Sequence, residues 1–269
     1  MKNKLLLLVA ILTLTTITVN AKSKVTCAGS TTVLPIAQAT AEAFMDAHPD
    51  INVSIRGGGS GVGIAALINN SVDIALSSRP MKSKEISQAK AKGINPVPYA
   101  IALDGIAVIV HPSNTISNIT ISQIRDIYTG KIKNWKELGG PNLPIVVISR
   151  DVSSGTFEVF NEKVMAGAKV SSSAQLLASN NAVTNTVADT PGAIGYAGVG
   201  FVSNKVKALV VEKVLPSEKT VQDGTYILSR KLYMYTNGKA TGAVGSYIAF
   251  IQSPQGQKIV KEQGFIPLQ

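Results

Sequence analysis

The sequence has one cysteine, one tryptophan and two histidines in 269 residues, and aromatic residues make up 5% of it. A single thiol, Cys27, closes no intramolecular disulfide, so packing alone must hold the fold; its place in a strand-like run marks it as a buried strand cysteine. Two histidines and one cysteine argue against a zinc or transition-metal centre. A Ser-His-Asp triad would need His48 or His111, and each precedes a proline at a loop or strand end. There is no internal repeat, no low-complexity tract and no Gly-Lys-Ser/Thr phosphate loop. Gly61-Val62-Gly63-Ile64-Ala65-Ala66 fits a dinucleotide pattern formally, but the next strand signal, Val72 to Leu76, comes too soon for the unit that pattern opens. Acidic residues are in deficit, 16 against 26 basic, for a formal charge of +10. Such a field attracts anions in general, but nucleic acid is not expected as a partner, because aromatics for base stacking are few and the lysines are scattered over a solvated surface.

Long apolar runs are also missing after the N-terminus. Residues 1–21 begin with Lys2 and Lys4, continue through Leu5 to Leu12 and end at Val19-Asn20-Ala21, the pattern of a cleaved secretory signal. Threonines at 13, 15, 16 and 18 interrupt the run, which falls short of the roughly 20 apolar residues a span needs. A periplasmic, secreted chain with no stable membrane span after signal cleavage is expected.

What is present is an alternation of strand and helix signals, which predicts an α/β architecture. Val25 to Ala28, Ile51 to Ile55 and Val72 to Leu76 read as strands; Pro35 to Ala47 and Gly63 to Asn69 read as helices. Two β-rich runs, Val97 to Leu103 and Gly105 to Val110, are separated by Asp104. A fresh unit starts with the polar segment after Pro112, carries a helix over Ser154 to Met165, and gives way to a strand at Leu232 to Thr236 and a helix over Val244 to Gln263. Four polar loops fall where strands hand over to helices: Gly29-Ser30-Thr31-Thr32, Gly57 to Gly61, Ser77-Ser78-Arg79-Pro80 and Arg150 to Thr156. Each alone is ordinary turn and cap chemistry. Together, with free N–H groups at helix starts and two embedded arginines, they suit an oxyanion held outside the carboxyl ends of the strands.

In this order the loops resemble the PstS-type phosphate-binding proteins of ABC importers, in the type II periplasmic-binding-protein superfamily. The motifs are A-G-S-T-T, R-G-G-G-S-G-V-G-I, D-I-A-L-S-S-R-P, L-D-G-I-A-V-I-V, I-Y-T-G-K-I-K-N-W, S-R-D-V-S-S-G-T-F and P-G-A-I-G-Y. The resemblance implies two lobes with a hinge and an interlobe cleft: 22–112 plus 226–269 as a discontinuous first lobe and 113–225 as the second. It implies a non-enzymatic receptor, expected as a monomer, that binds inorganic phosphate without metal or cofactor and delivers it to ABC permease subunits with their ATPase.

Candidate phosphate-binding residues are Ser30, Thr31 and Thr32 in the first loop, Ser60 in the second, Ser78 and Arg79 in the third, and Arg150, Ser154, Gly155 and Thr156 in the fourth. Arg150 is the expected bidentate fork. Arg79 either ligates the anion, braces its loop or pairs with Asp151, and Asp151 equally suits orienting Arg150. The chain departs from the family in one respect: where well-known members carry an aspartate that accepts the proton of hydrogen phosphate, it has Ser78. A hydroxyl does not repel a fully ionised anion as a carboxylate does, so another tetrahedral oxyanion, sulfate or an oxometallate, is the alternative ligand. A secreted phosphohydrolase is a further alternative, weakened by the lack of an evident metal site or activated nucleophile.

Overall fold

The computed structural model describes residues 22–268, so the signal segment expected over 1–21 lies outside the described residues. The chain opens with β1 (Ser23–Gly29), α1 (Leu34–Ala47), β2 (Ile51–Arg56), α2 (Ser60–Ile68), β3 (Ile74–Ser77) and α3 (Ser83–Ala91) before the long strand β4 (Pro96–Val110). The middle comprises β5 (Asn118–Ile119), α4 (Ile121–Tyr128), β6 (Val146–Arg150), α5 (Gly155–Phe160), β7 (Gln175–Leu177), α6 (Asn180–Asp189), β8 (Ala193–Gly198), β9 (Lys207–Ala208), β10 (Val210–Val211) and α7 (Glu218–Gln222). The chain then returns along β11 (Ser229–Asn237) and finishes with α8 (Gly242–Gln252) and α9 (Pro254–Glu262).

The principal sheet runs in the order β2-β1-β3-β11-β4-β8-β6-β7. Strands β1, β2 and β3 are parallel, as are β6, β7 and β8, while β11 is antiparallel to both β3 and β4, and β4 is antiparallel to β8. Two groups of apolar cores divide this sheet. One gathers Val25, Ile36, Phe44, Ile74 and Leu76 with Leu232, Met234, Tyr247 and Ile251, and its neighbour under α2 adds Ile64 and Leu67. The other gathers Val108, Tyr128, Trp135, Phe160, Tyr196 and Leu228, with Phe160 and Tyr196 stacked at 3.9 Å between ring centroids. Each core is large enough to support its own lobe.

Core membership changes inside β4, between Ala102 and Ile106, and at the start of β11, between Leu228 and Leu232. A crossing made within a continuous strand carries no loop signature in the sequence. β4 itself is one strand of 15 residues rather than two runs, because Asp104 is paired within the sheet. The helix expected over Val244 to Gln263 breaks at Ser253-Pro254: proline has no N–H to continue α8, and the Ser253 hydroxyl caps α9 by accepting from Gly256 N at 3.2 Å. Similarly, the Ser154 to Met165 segment divides into α5 and a π-helical turn at Asn161–Met165 that ends on Ala166 with φ 49°. Cys27 is buried in β1, and burial, with the charge of Asp73, pushes its thiol up to about 12.

Candidate anion-binding site

The polar loops meet where the lobes face each other. At the end of β1, Gly29 has φ +140° and a Cβ there would run into the Leu76 carbonyl, so both backbone and space require glycine. The turn it opens is capped internally: the Ser30 hydroxyl accepts from Thr32 N at 3.1 Å and Val33 N at 3.3 Å. Ser30 is therefore occupied in shaping the loop, and the next two side chains project across the cleft. Thr31 Oγ1 accepts from Arg150 Nη2 at 3.1 Å, and Thr32 Oγ1 lies 3.1 Å from Thr156 Oγ1.

Ser60 opens α2 and Ser78 follows β3; their hydroxyls lie 3.3 Å apart, and Ser60 Oγ accepts from Ser78 N at 3.0 Å. Gly155 of the other lobe closes against both. A Cβ on Gly155 would strike Ser60 Oγ and come within 2.7 Å of Ser78 Oγ, so only glycine lets the start of α5 approach them. The Ser154 hydroxyl caps α5, accepting from Phe157 N at 3.2 Å. Backbone contacts continue the seam: Gly61 N donates to Ser153 O at 2.9 Å, and Ser153 Oγ donates to Gly58 O at 3.0 Å.

Two buried arginines supply the charge. Arg150, at the end of β6, is 1% exposed; Nε donates to Leu177 O at 3.0 Å and Nη2 to Ala178 O at 2.9 Å, while Nη1 has no partner among the described residues. No carboxylate among the described residues pairs with it. Burial lowers its pKa to about 10, against the opposing influence of Tyr196 and Asp151, so at neutral pH it remains a cation held among neutral dipoles. Arg230, on β11, donates through Nε to Asp104 Oδ2 at 2.8 Å and through Nη2 to Thr156 Oγ1 at 3.0 Å, and its Nη1 is likewise without a partner among the described residues. Burial pushes Asp104 up and Arg230 down, each towards its neutral form; the arginine and the Val199 N–H, which donates to Asp104 Oδ1 at 3.1 Å, favour the ionised pair. A buried cation with an unused N–H, ringed by hydroxyls from both lobes, is suited to a small oxyanion.

Of the candidates read from the sequence, Thr31, Thr32, Ser60, Ser78, Arg150, Gly155 and Thr156 are brought together here, with Ser30 and Ser154 beneath them as caps. Arg79 is placed elsewhere. Its Nη1 and Nη2 donate to Glu85 at 2.8 and 2.7 Å, its Nη2 reaches Glu158 Oε1 at 3.3 Å, and its Nε is paired with Glu158 Oε2. Burial opposes that charge, but the hydrogen bonds and charge of Glu85 and Glu158 outweigh it and raise Arg79 above the ordinary arginine value. Asp151 pairs with neither arginine; its Oδ1 accepts from Ser153 N at 2.9 Å and shares the one Ser153 hydroxyl hydrogen with Gly58 O.

The sequence reading passed over Arg230, Asp104 and Asn180. Asn180, at the start of α6, donates to Thr32 Oγ1 at 3.0 Å and accepts from Gly198 N at 3.3 Å, joining the first loop to β8. The available signal was Asp104, an acid standing in the otherwise apolar run of β4, which burial permits only when it is paired. No group of three or more histidine, cysteine, aspartate or glutamate residues that would hold a metal occurs among the described residues, and no described helix is long and apolar enough to cross a membrane.

Two lobes joined by two strands, with a charged cleft between them, have the architecture of a solute-binding protein, and comparison with known proteins narrows the class. A family profile described as "PBP superfamily domain" matches residues 15–255. Phosphate-binding protein PstS of Bacillus subtilis is 36% identical over 250 residues, covering 92% of this chain and 82% of its own length. PstS of Borreliella burgdorferi is 33% identical, covering 90% of this chain and 89% of its own length. Among solved structures, a Clostridium perfringens protein assigned as a phosphate ABC transporter substrate-binding protein, with bound phosphate, has a TM-score of 0.85 at 36% identity and covers 92% of this chain and 100% of its own. An ABC-type phosphate transport receptor from Vibrio cholerae has a TM-score of 0.76 at 32% identity, covering 91% of this chain and 100% of its own. The chain belongs to the PstS family of phosphate-binding proteins within the periplasmic-binding-protein superfamily, and it has the type II fold of that group.

Proposed function

We propose that this chain captures inorganic phosphate between its lobes outside the cytoplasm and delivers it to an ABC importer, working as a monomer with two permease subunits and their ATPase after removal of residues 1–21. The observation that carries this reading is the Arg150 guanidinium: 1% exposed, paired with no carboxylate among the described residues, with an unpaired Nη1 and with Nη2 on the Thr31 hydroxyl of the opposite lobe. In this reading Arg150, Thr31, Thr32, Ser60, Ser78, Gly155 N–H and Thr156 contact the anion, while Ser30 and Ser154 hold the loops in shape. Hydrogen bonds to a charged group contribute roughly 1.5 to 3 kcal/mol each. A handful exceeds the roughly 8 kcal/mol of micromolar binding even after ordering costs.

A second ligand class, sulfate or another tetrahedral oxyanion, is favoured by one observation: the carboxylates of Asp104 and Asp151 are both engaged by protein donors. Isothermal titration of the ligand-stripped chain with phosphate, alone and in excess sulfate, separates the two. One-to-one phosphate binding that survives sulfate and is lost in Arg150→Ala supports the phosphate receptor. Undiminished affinity in Arg150→Ala overturns the site, and displacement by sulfate moves the assignment to the wider anion class.

A further inference from the structure

Arg79 is 4% exposed and spends its guanidinium on two carboxylates from different lobes. Glu85 belongs to α3 of its own lobe; Glu158 lies on α5 of the other, and Lys82 Nζ joins the same Glu158 at 2.9 Å. The loop that Arg79 leaves is the loop of Ser78. The Ser77 hydroxyl donates to Arg79 O at 2.7 Å, so the residues on either side of Ser78 are tied to each other. Two negative groups against the guanidinium exclude an anion from it, which leaves its burial and its interlobe reach to be explained.

We propose that Arg79 is a positioning residue for anion binding: it clasps the lobes through Glu158 in the closed state and never touches the ligand. This rests on the cleft being the ligand site. The Glu85 contact lies within one lobe and survives opening, so the turn keeps its shape. The Glu158 contacts, from Arg79 and Lys82, exist only when α5 lies against the α3 side. An interaction present in one conformation alone shifts the equilibrium toward it, and a ligand that needs that conformation binds more tightly in proportion. The buried arm of the clasp is shielded from solvent, while Lys82 at 57% side-chain exposure contributes little.

The test compares Glu158→Gln, Glu85→Gln and Lys82→Ala with the unaltered chain, measuring phosphate Kd by calorimetry, dissociation rate by rapid mixing, and the melting temperature without ligand. For Glu158→Gln, Kd is expected to rise on the order of tenfold, chiefly through faster dissociation, and the ligand-free melting temperature to fall less than in Glu85→Gln, because the clasp also holds the closed fraction of the ligand-free chain. Lys82→Ala is expected to change Kd less than threefold, and Glu85→Gln to lower the ligand-free melting temperature, since it loosens a contact within one lobe. A Glu158→Gln variant that binds and releases phosphate within twofold of the unaltered chain overturns the clasp. Failure of the phosphate reading is seen separately, as no binding by the unaltered chain. The radius of gyration of ligand-free Glu158→Gln then decides: expansion supports the clasp, and an unchanged value overturns it.

Discussion

Arg230 and Asp104 stand opposite each other in register on β11 and β4, the two strands that join the lobes, with the guanidinium Nε 2.8 Å from the carboxylate. The same guanidinium reaches Thr156 of one lobe at 3.0 Å and Thr32 of the other at 3.4 Å. A register shift between Leu232 and Tyr233 lies just beyond it on β11. The pair therefore fixes the floor of the cleft at the point about which the lobes would move, and ties that floor to a hydroxyl from each side.

Removing half of this pair leaves a buried charge. Asp104→Asn is expected to destabilise the chain by about 3 kcal/mol, because Arg230 loses its counterion while remaining enclosed. Chemical denaturation checks the size of the effect. A loss below about 1 kcal/mol would mean that water or backbone carbonyls replace the carboxylate.

The depressed pKa of Arg150, about 10, predicts opposite trends for stability and binding at high pH. Between about 10 and the ordinary arginine value the unfolded chain holds more protons at this group than the native one. Its contribution to the stability of the ligand-free chain therefore rises with pH across that window. An anion needs the charged form, so the affinity that Arg150 confers is complete below about 10 and declines above it, by up to about tenfold per pH unit. Phosphate titrations on either side of pH 10, at constant ionic strength, test this; an affinity that stays level through that pH removes Arg150 as the cation of the site.

Much of the fold was legible because helices and strands announce themselves by periodicity, and the loops of the site announced themselves by hydroxyls and glycines at strand ends. Two kinds of feature were not. Asp104 reads as an interruption between two strands, yet it lies inside one, since its partner Arg230 is 126 residues away and only their pairing makes its burial tolerable. Arg79 reads as a candidate ligand because it sits in a site loop. Its direction depends on Glu85, six residues on, and on Glu158, brought from the other lobe by the fold. Asn180 had no sequence signal of its own, being one of two adjacent asparagines at a helix start.

Ser78, which the resemblance sets where well-known members carry a proton-accepting aspartate, has its hydroxyl 3.3 Å from that of Ser60. Ser78→Asp places a carboxylate there that accepts a proton from hydrogen phosphate and repels sulfate. The ratio of sulfate to phosphate Kd is expected to rise at least about tenfold, equivalent to roughly 1.4 kcal/mol. Competition calorimetry measures the ratio, and an unaltered value places the discrimination elsewhere in the site.

Gly155 separates folding from closure more sharply than the charged residues do. Its added Cβ would collide with Ser60 Oγ and crowd Ser78 Oγ, both of the opposite lobe, and turning either hydroxyl away from the seam breaks the Ser60–Ser78 contact. The clash is relieved by moving the lobes apart, at no cost to either core. Alanine is also well tolerated in the first turn of α5. Gly155→Ala is thus expected to keep the ligand-free melting temperature within a few degrees while phosphate affinity falls at least about a hundredfold, because the site can no longer close over its ligand. Small-angle scattering with saturating phosphate should show the unaltered chain closed and the variant open. Full affinity in the variant would mean that Ser60 and Ser78 yield more easily than their hydrogen bonds suggest, and that closure does not depend on this contact.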